Sequence, residues 1–201
     1  MKQSLKILLV GLGLSTCLFA NAEEGSWVVR ARATQLNWHN GQADGLAAYN
    51  IKAENKTIPE IDISYFFTPN VAAELVLTYP QKVNLKLAGA NIGSAKALPP
   101  SLLLQYHCTK YGAFKPYVGA GLNYTRFSDR GNILGGAASI DKSSVGLVGQ
   151  VGFDYAIDKN WSFNVDLKYI QIDTDVAVSG TKIGKLNLNP IAPSIGIGYR
   201  F

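Results

Sequence analysis

The sequence has little cysteine, little histidine and no apolar run long enough for a membrane-spanning helix. Its cysteines are Cys17 and Cys108, and its histidines are His39 and His107. The one long apolar run, residues 7–20, is shorter than the ~20 residues with which a helix spans a bilayer. These absences exclude a disulfide-rich scaffold and a helical membrane protein. They leave a soluble domain or a β-barrel.

The apolar run at the start of the chain has the features of a cleaved secretory signal. Lys2 and Lys6 precede it, and Ala20-Asn21-Ala22 places small residues at the two positions that a signal peptidase requires. We therefore predict a signal peptide over residues 1–22 and one exported domain over residues 23–201.

Several classes of function lack support in the exported domain. Without Lys2 and Lys6 the formal net charge falls from +5 to +3, which is not the electrostatic footprint of a nucleic-acid-binding protein. Cys108 is the one cysteine left, so no internal disulfide is predicted. No motif has metal-ligand spacing, and neither histidine belongs to a recognisable catalytic cluster. We therefore predict no metal, no cofactor and no enzymatic activity.

Residues of alternating polarity recur along the rest of the chain and predict eight β-strands. We place these strands at Trp27 to Trp38, Ile58 to Phe67, Val71 to Tyr79, Ser101 to Thr109, Pro116 to Phe127, Ser144 to Tyr155, Trp161 to Ile172 and Leu186 to Phe201. The connections alternate between long and short. An all-β, eight-stranded antiparallel up-and-down transmembrane barrel, with tight periplasmic turns and large extracellular loops, produces this alternation.

One phase of the predicted strands carries no charge and is expected to face lipid. On strand seven it reads Trp161, Phe163, Val165, Leu167 and Tyr169, with aromatic residues at both ends as in the girdles of outer-membrane barrels. A soluble sandwich also buries one face of each strand. Its core, however, rarely excludes charge over so many strands while placing aromatic residues at both margins.

The opposite phase is expected to face the lumen, and toward the periplasmic end it is strongly charged. The residues predicted to form this polar plug are Arg30, Arg32, Glu60, Asp62, Glu74, Asp154, Asp166, Lys168 and Arg200. Side chains fill the lumen of an eight-stranded barrel, so these charges should pair with one another. Unpaired charges there would be costly.

Toward the extracellular end the same inward phase becomes apolar. The residues predicted to line this upper lumen are Leu36, Trp38, Ile58, Leu103, Ile170, Ile172, Leu186 and Leu188. An apolar lumen above a polar plug is a poor pore for water and a suitable pocket for a hydrophobic molecule. The alternative is that these side chains only pack beneath folded loops, and the sequence does not decide between the two.

Glycines occupy many inward positions of strands five, six and eight: Gly119, Gly121, Gly146, Gly152, Gly196 and Gly198. Inward glycines either permit strong strand curvature or leave space along one wall of the lumen. The first interpretation predicts a closed wall. The second makes this wall a place to look for a passage.

Five segments resemble the outer-membrane protein W family: residues 68–75, residues 97–106 with the Leu-Pro-Pro motif, residues 114–127 with the Tyr-Val-Gly-Ala-Gly-Leu-Asn-Tyr motif, residues 167–169 and residues 198–201. The resemblance implies an eight-stranded barrel of the bacterial outer membrane that carries small hydrophobic molecules. It also implies a lateral exit through the wall into the membrane. The terminal Phe201 is similar to the signal by which the barrel-assembly machinery recognises its substrates.

We therefore expect a passive outer-membrane channel or transporter for small hydrophobic molecules. Its expected partners are membrane lipid, the solute, the assembly machinery and lipopolysaccharide, whose phosphates Lys142, Lys182 and Lys185 could meet. The alternative is a structural or adhesive barrel with a closed lumen and ligand-binding loops.

Overall fold

The computed structural model describes residues 25–44, 46, 50–130 and 132–201. The predicted signal peptide, residues 1–22, lies outside the described residues. The described part of the chain is built from β-strands, with one 3-10 turn at Leu134–Gly136. No helix in that part is long and apolar enough to cross a membrane.

The strands follow one another along the chain with short connections. They are β1 Trp27–Leu36, β2 Gly41–Asp44, β3 Ile51–Ala53, β4 Lys56–Phe66, β5 Val71–Leu77, β6 Gln81–Leu87, β7 Ala90–Leu98, β8 Ser101–His107, β9 Phe114–Ser128, β10 Ala138–Ile140, β11 Ser143–Ala156, β12 Trp161–Ile170, β13 Asp173–Val178, β14 Thr181–Asn187 and β15 Ile191–Arg200.

Eight of these strands close into a barrel, in the order β1, β4, β5, β8, β9, β11, β12, β15. All neighbours are antiparallel, and β15 returns to β1 with Arg200 opposite Val28 and Ser194 opposite Thr34. The predicted eight-stranded antiparallel barrel is confirmed. One end of the barrel carries the turns at 67–70, 108–113 and 157–160, and we refer to it as the short-turn end.

The opposite end, the long-loop end, contains more regular structure than the sequence predicts. The hairpin β6–β7 continues the barrel wall upward along β9, and β3 adds to its edge. Strands β10, β13, β14 and β2 form a separate four-stranded sheet. The prediction from sequence places these segments in loops, although Val83, Leu85 and Leu87 alternate with Lys82, Asn84 and Lys86 along β6, a period-two signal that could have identified this strand.

The predicted last strand, Leu186 to Phe201, is two strands. Strand β14 ends at Asn187, and β15 begins at Ile191 after a break in which Asn189 has a positive φ of 29°. Pro190 contributes to the break because it has no N–H to donate to a ladder. Leu186 therefore belongs to the four-stranded sheet rather than to the barrel wall. The first barrel strand is also shorter than predicted, since β1 ends at Leu36 and Trp38 follows it.

The two faces of the barrel wall are those that the sequence predicts. On β12, Leu167 is 44% exposed, whereas the next residue, Lys168, is 1% exposed. Aromatic side chains cluster on the outside at the short-turn end, where Trp161, Tyr199 and Phe201 pack in succession with ring centroids 4.8–4.9 Å apart. The backbone N–H of Phe201 donates to the carbonyl of Trp27. Its role as an assembly signal stays a prediction.

Most of the inward glycines lie directly against neighbouring backbone. A Cβ on Gly121 would overlap the carbonyl oxygen of Leu102, and one on Gly196 would overlap that of Ala31. Neighbouring backbone therefore occupies the space that a side chain would need, which favours the interpretation of the glycines as sites of strand curvature. The ladder between β9 and β11 also runs unbroken from Phe114 to Arg126.

The orientation of the wall predicts how insertion depends on depth. Ile61 and Thr57 are both exposed on the outer face of β4, four residues apart. We expect Ile61→Arg to cost about 2–4 kcal/mol of folding free energy in a bilayer, and Thr57→Arg, near the long-loop rim, about 0–1 kcal/mol. Urea titrations of the barrel in lipid vesicles measure both values. Equal costs for the two variants would show that this face does not lie in lipid.

Candidate functional site

The barrel lumen contains a buried layer of ionic side chains nearer the short-turn end, which we call the ionic floor. All of its members are 7% exposed or less. The ionic floor consists of Arg30, Arg32, Glu60, Asp62, Glu74, Asp154, Asp166 and Lys168. Successive side chains of a β-strand point to opposite faces of the sheet. Each of these residues, on β1, β4, β5, β11 or β12, therefore points into the lumen, while the residues before and after it point outward.

Arg30 is held by a two-point contact to a carboxylate. Its Nε and Nη2 atoms donate to the two oxygens of Asp154 at 3.0 and 2.6 Å. The Nη1 atom donates to Ser64 Oγ at 2.8 Å and lies 3.4 Å from Glu74. This fork geometry is the strong form of an arginine–carboxylate pair.

Arg32 lies at the centre of the ionic floor. Its Nη1 atom is 2.8 Å from Asp62 and 3.4 Å from Glu60, and its Nη2 atom is 3.3 Å from Glu74. Its Nε atom donates to Asn164 Oδ1 at 2.7 Å. One guanidinium group therefore neutralises carboxylates from both β4 and β5.

Lys168 and Tyr117 complete the floor on the opposite wall. The Lys168 Nζ atom is 2.7 Å from Glu60 and 2.8 Å from Asp166. The Tyr117 hydroxyl donates to Asp166 at 2.9 Å and accepts from Asn164 and Arg32. The sequence analysis missed Tyr117, although its inward phase on strand five was the signal that could have identified it.

The ion pairs described above include every predicted plug residue except Arg200. Its guanidinium carbon lies 4.4 Å from the centroid of the Phe66 ring, and it donates to Ser26 at the short-turn mouth. Its position next to the last residue of the chain places it below the other charges. The floor itself therefore combines three cations with five carboxylates, and these side chains fill the cross-section of the lumen.

The eight residues predicted to line the upper lumen all lie in one buried apolar cluster above the floor. Val76, Val148 and Ala192 belong to the same cluster. Leu186 and Leu188 reach it from the four-stranded sheet and the segment after it, and not from the barrel wall as the sequence suggests. The structure therefore brings the predicted set together, with part of it packed beneath the loops.

Two apolar cavities lie above and within this cluster. A narrow cavity of about 20 Å³ is enclosed by the β6–β7 hairpin, Phe127, Ile140, Thr174, Leu186 and Leu188. A larger cavity of about 250 Å³ opens at the loop tips. The residues lining this larger cavity, which we call the tip pocket, are Leu46, Ile51, Leu87, Ile92, Ile133, Leu134, Ala138, Val176, Val178 and Ile183. The tip pocket could not be predicted from the sequence, because its residues come from four separate segments.

Beside the upper lumen, the barrel wall has a stretch without backbone ladder pairing. It lies between the connection from β5 to β6 and the connection from β7 to β8. The ladder of β5 with β8 stops at Val76 opposite Ser101, and pairing resumes with Gln81 opposite Ala97. Residues 77–80 and 98–100 lie between these two paired segments. Pro80, Pro99 and Pro100 within them have no N–H to donate. We call this stretch the proline seam.

Three comparisons identify similar proteins. The sequence model of the OmpW family matches residues 23–201. The outer-membrane protein y4mB of Sinorhizobium fredii is 41% identical over 87% of this chain and 80% of its own length. Outer membrane protein W of Escherichia coli is 31% identical over 98% of this chain and 99% of its own length. The crystal structure of OprG from Pseudomonas aeruginosa superposes with a TM-score of 0.73, at 30% identity, covering 89% of this chain and 96% of that one.

The ionic floor should be a large contributor to stability. We expect Arg32→Met to destabilise the barrel by about 3–5 kcal/mol, because it leaves buried carboxylates without their cation. Tyr117→Phe removes one hydroxyl from the same network and should cost about 1–3 kcal/mol. Urea unfolding in lipid vesicles compares the two variants. A cost for Arg32→Met no larger than that for Tyr117→Phe would contradict the central role of Arg32.

Proposed function

The chain belongs to the OmpW family of outer-membrane barrel proteins, and from this membership and the shape of its lumen we propose that it passes small hydrophobic molecules across the outer leaflet. The molecules would arrive in the tip pocket, move through the upper lumen and leave sideways into the membrane. The long-loop end is then extracellular and the short-turn end periplasmic.

The apolar lining that runs from the tip pocket to the ionic floor is the observation that carries this proposal. Every side chain of the tip pocket is apolar, and Thr174 is the one polar contributor to the narrow cavity below it. A lining of this kind offers an apolar solute a favourable environment and offers an ion or a sugar no partner for its polar groups. An uncharged hydrocarbon is therefore the class of solute that fits best.

The size of the two cavities suggests that passage is gated. The tip pocket of about 250 Å³ is large enough for a small hydrocarbon, whereas the narrow cavity of about 20 Å³ has room for about one water molecule. A solute must therefore displace the side chains around Leu186 and Leu188, which belong to the loop layer and not to the barrel wall.

The ionic floor argues against a straight route to the periplasm. Crossing it would require an apolar molecule to separate charge pairs buried in a low-dielectric lumen, which is costly. The proline seam supports a lateral route instead. It borders the upper lumen at Val76 and Leu103, and the wall there lacks the ladder hydrogen bonds that would have to break before a solute could pass.

A structural or adhesive barrel with a closed lumen is the competing function. The packed floor fits both proposals equally well. The tip pocket favours transport, because an apolar cavity that opens outward has no evident use in a barrel with a structural role only.

Filling the narrow cavity should block uptake. Ala97 is buried and lines that cavity, so Ala97→Trp would place an indole in the path of the solute. We expect uptake of radiolabelled octane by cells to fall roughly tenfold, while a stability loss of about 1–3 kcal/mol from overpacking leaves the barrel folded. Ala120→Trp makes the same change on the exposed outer face of β9 and should leave uptake unchanged. Wild-type uptake by folded Ala97→Trp barrels would favour the structural function.

The lateral route predicts a difference between Pro99 and Pro100, two of the three prolines of the seam. The carbonyl of Pro100 accepts from the Tyr124 N–H, so Pro100 turns its backbone toward β9. The Pro99 carbonyl accepts from the Asn123 side chain, and from the alternation of successive residues we infer that the side of Pro99 without an N–H faces the seam. We expect Pro99→Ala to restore a ladder donor there and to slow octane uptake severalfold, whereas Pro100→Ala should have little effect. Equal uptake by both variants and the wild type would place the exit elsewhere.

A further inference from the structure

Cationic side chains form a row on the outer face of the wall, above the lipid-facing residues at the extracellular end. Its members are Lys82 on β6, Lys96 on β7 and Arg126 on β9, and we call the row the basic strip. All three are exposed. Their neighbours along each strand, including Val83, Ala97 and Phe127, are buried. The basic strip is thus the upward continuation of the face that contacts lipid.

The register brings these cations close together. Lys82 lies directly opposite Lys96, and Lys96 lies opposite Ser128, two residues beyond Arg126 on β9. Directly opposed residues of antiparallel strands have Cβ atoms about 5 Å apart, and like charges in that arrangement repel each other. An anion bound between them would relieve this repulsion.

The chain itself supplies little negative charge at this place. Lys96 is 2.7 Å from the carboxylate of Asp129. Within the part of the chain that the structure describes, neither Lys82 nor Arg126 has an ion-pair partner within 4.0 Å. The basic strip therefore keeps a net positive charge.

The height of the basic strip matches the level of lipid headgroups. Tyr124 is an exposed aromatic residue of the outer face, and Arg126 follows two residues later. At ~3.3 Å per residue and a tilt of ~40°, Arg126 lies roughly 5 Å and Lys96 roughly 10 Å above Tyr124. In a barrel whose aromatic residues mark the hydrocarbon boundary, this zone is occupied by the headgroups of the outer leaflet.

We propose that the basic strip binds the phosphate groups of a phosphorylated glycolipid of the outer leaflet, the lipid A portion of lipopolysaccharide. A phosphate carries the charge and the acceptor oxygens that lysine and arginine recognise, and the acyl chains of the same lipid would lie on the apolar wall below. The bound headgroup would sit directly above the proline seam.

This assignment replaces two of the three lysines that the sequence analysis suggested for the same partner. Lys185 lies opposite Asp175 on the adjacent strand, and Lys182 forms an ion pair with the same carboxylate. Asp175 therefore balances one of these two charges within the four-stranded sheet.

Binding of purified lipid A to the detergent-solubilised full barrel, measured by native mass spectrometry, tests the proposal. The lipids are bisphosphorylated lipid A, its dephosphorylated form and phosphatidylglycerol, and the variants are Lys82→Gln/Arg126→Gln and, as a charge-matched control, Lys182→Gln/Lys185→Gln. We expect the wild type to bind bisphosphorylated lipid A roughly tenfold more tightly than the other two lipids. The first double variant should lose this preference, and the control should keep it.

Three outcomes would overturn the proposal. They are unchanged binding by Lys82→Gln/Arg126→Gln, equal binding of phosphorylated and dephosphorylated lipid A by the wild type, and equal binding of phosphatidylglycerol, which would show a general affinity for anionic lipid. Inorganic phosphate at millimolar concentration should not displace the lipid. Displacement by phosphate would be a fourth contrary outcome, because it would show that the strip is a site for free phosphate. The result is independent of solute transport, because the strip lies outside the lumen.

Discussion

Closure of the sheet is the constraint on which the rest of the structure depends. Within the hydrocarbon region no water is present to satisfy backbone N–H and C=O groups, so an open sheet edge is not tolerated. Pairing of β1 with β15 removes the last edge. Closure with eight strands then fixes the diameter of the lumen, and that diameter is small enough for side chains to fill it. Both the ionic floor and the narrow upper lumen are consequences of this small diameter.

The ionic floor connects several strands of the barrel across the lumen. Arg30 connects β1 with β5 and β11, and Arg32 connects β1 with β4, β5 and β12. Ion pairs that cross the lumen hold opposite walls at a fixed distance. They also occupy the lumen near the short-turn end, and charges in a low dielectric resist separation. Under the proposed function, exchange of molecules is therefore confined to the half near the long-loop end, where the lining is apolar and the wall has an unpaired seam.

The extracellular half adds a second layer of structure to the simple barrel. The β6–β7 hairpin extends the wall beyond the membrane, and the four-stranded sheet covers the opening. Together they give the protein three surfaces of different chemistry within a short distance of each other. The tip pocket is apolar, the basic strip is cationic, and three residues of the proline seam lack a backbone N–H. A protein that works at the boundary between a charged headgroup layer and a hydrocarbon layer can use all three.

Much of this architecture is determined by local pattern in the sequence. Period two decides that Leu167 faces outward and Lys168 inward whatever the rest of the chain does, so the eight strands, both faces and the membership of the ionic floor could be predicted. The pattern could not predict which charges meet. Arg30 and Asp154 are 124 positions apart, and Arg200 shares the inward phase yet lies below the floor. Nor could it predict the break before Pro190 or the tip pocket, whose lining comes from four separate segments. The alternation of inward and outward side chains depends only on neighbouring residues, so the sequence by itself determined it. Pairing partners, cavities and surface charge depend on which distant strands closure brings side by side, and only the tertiary structure decided them.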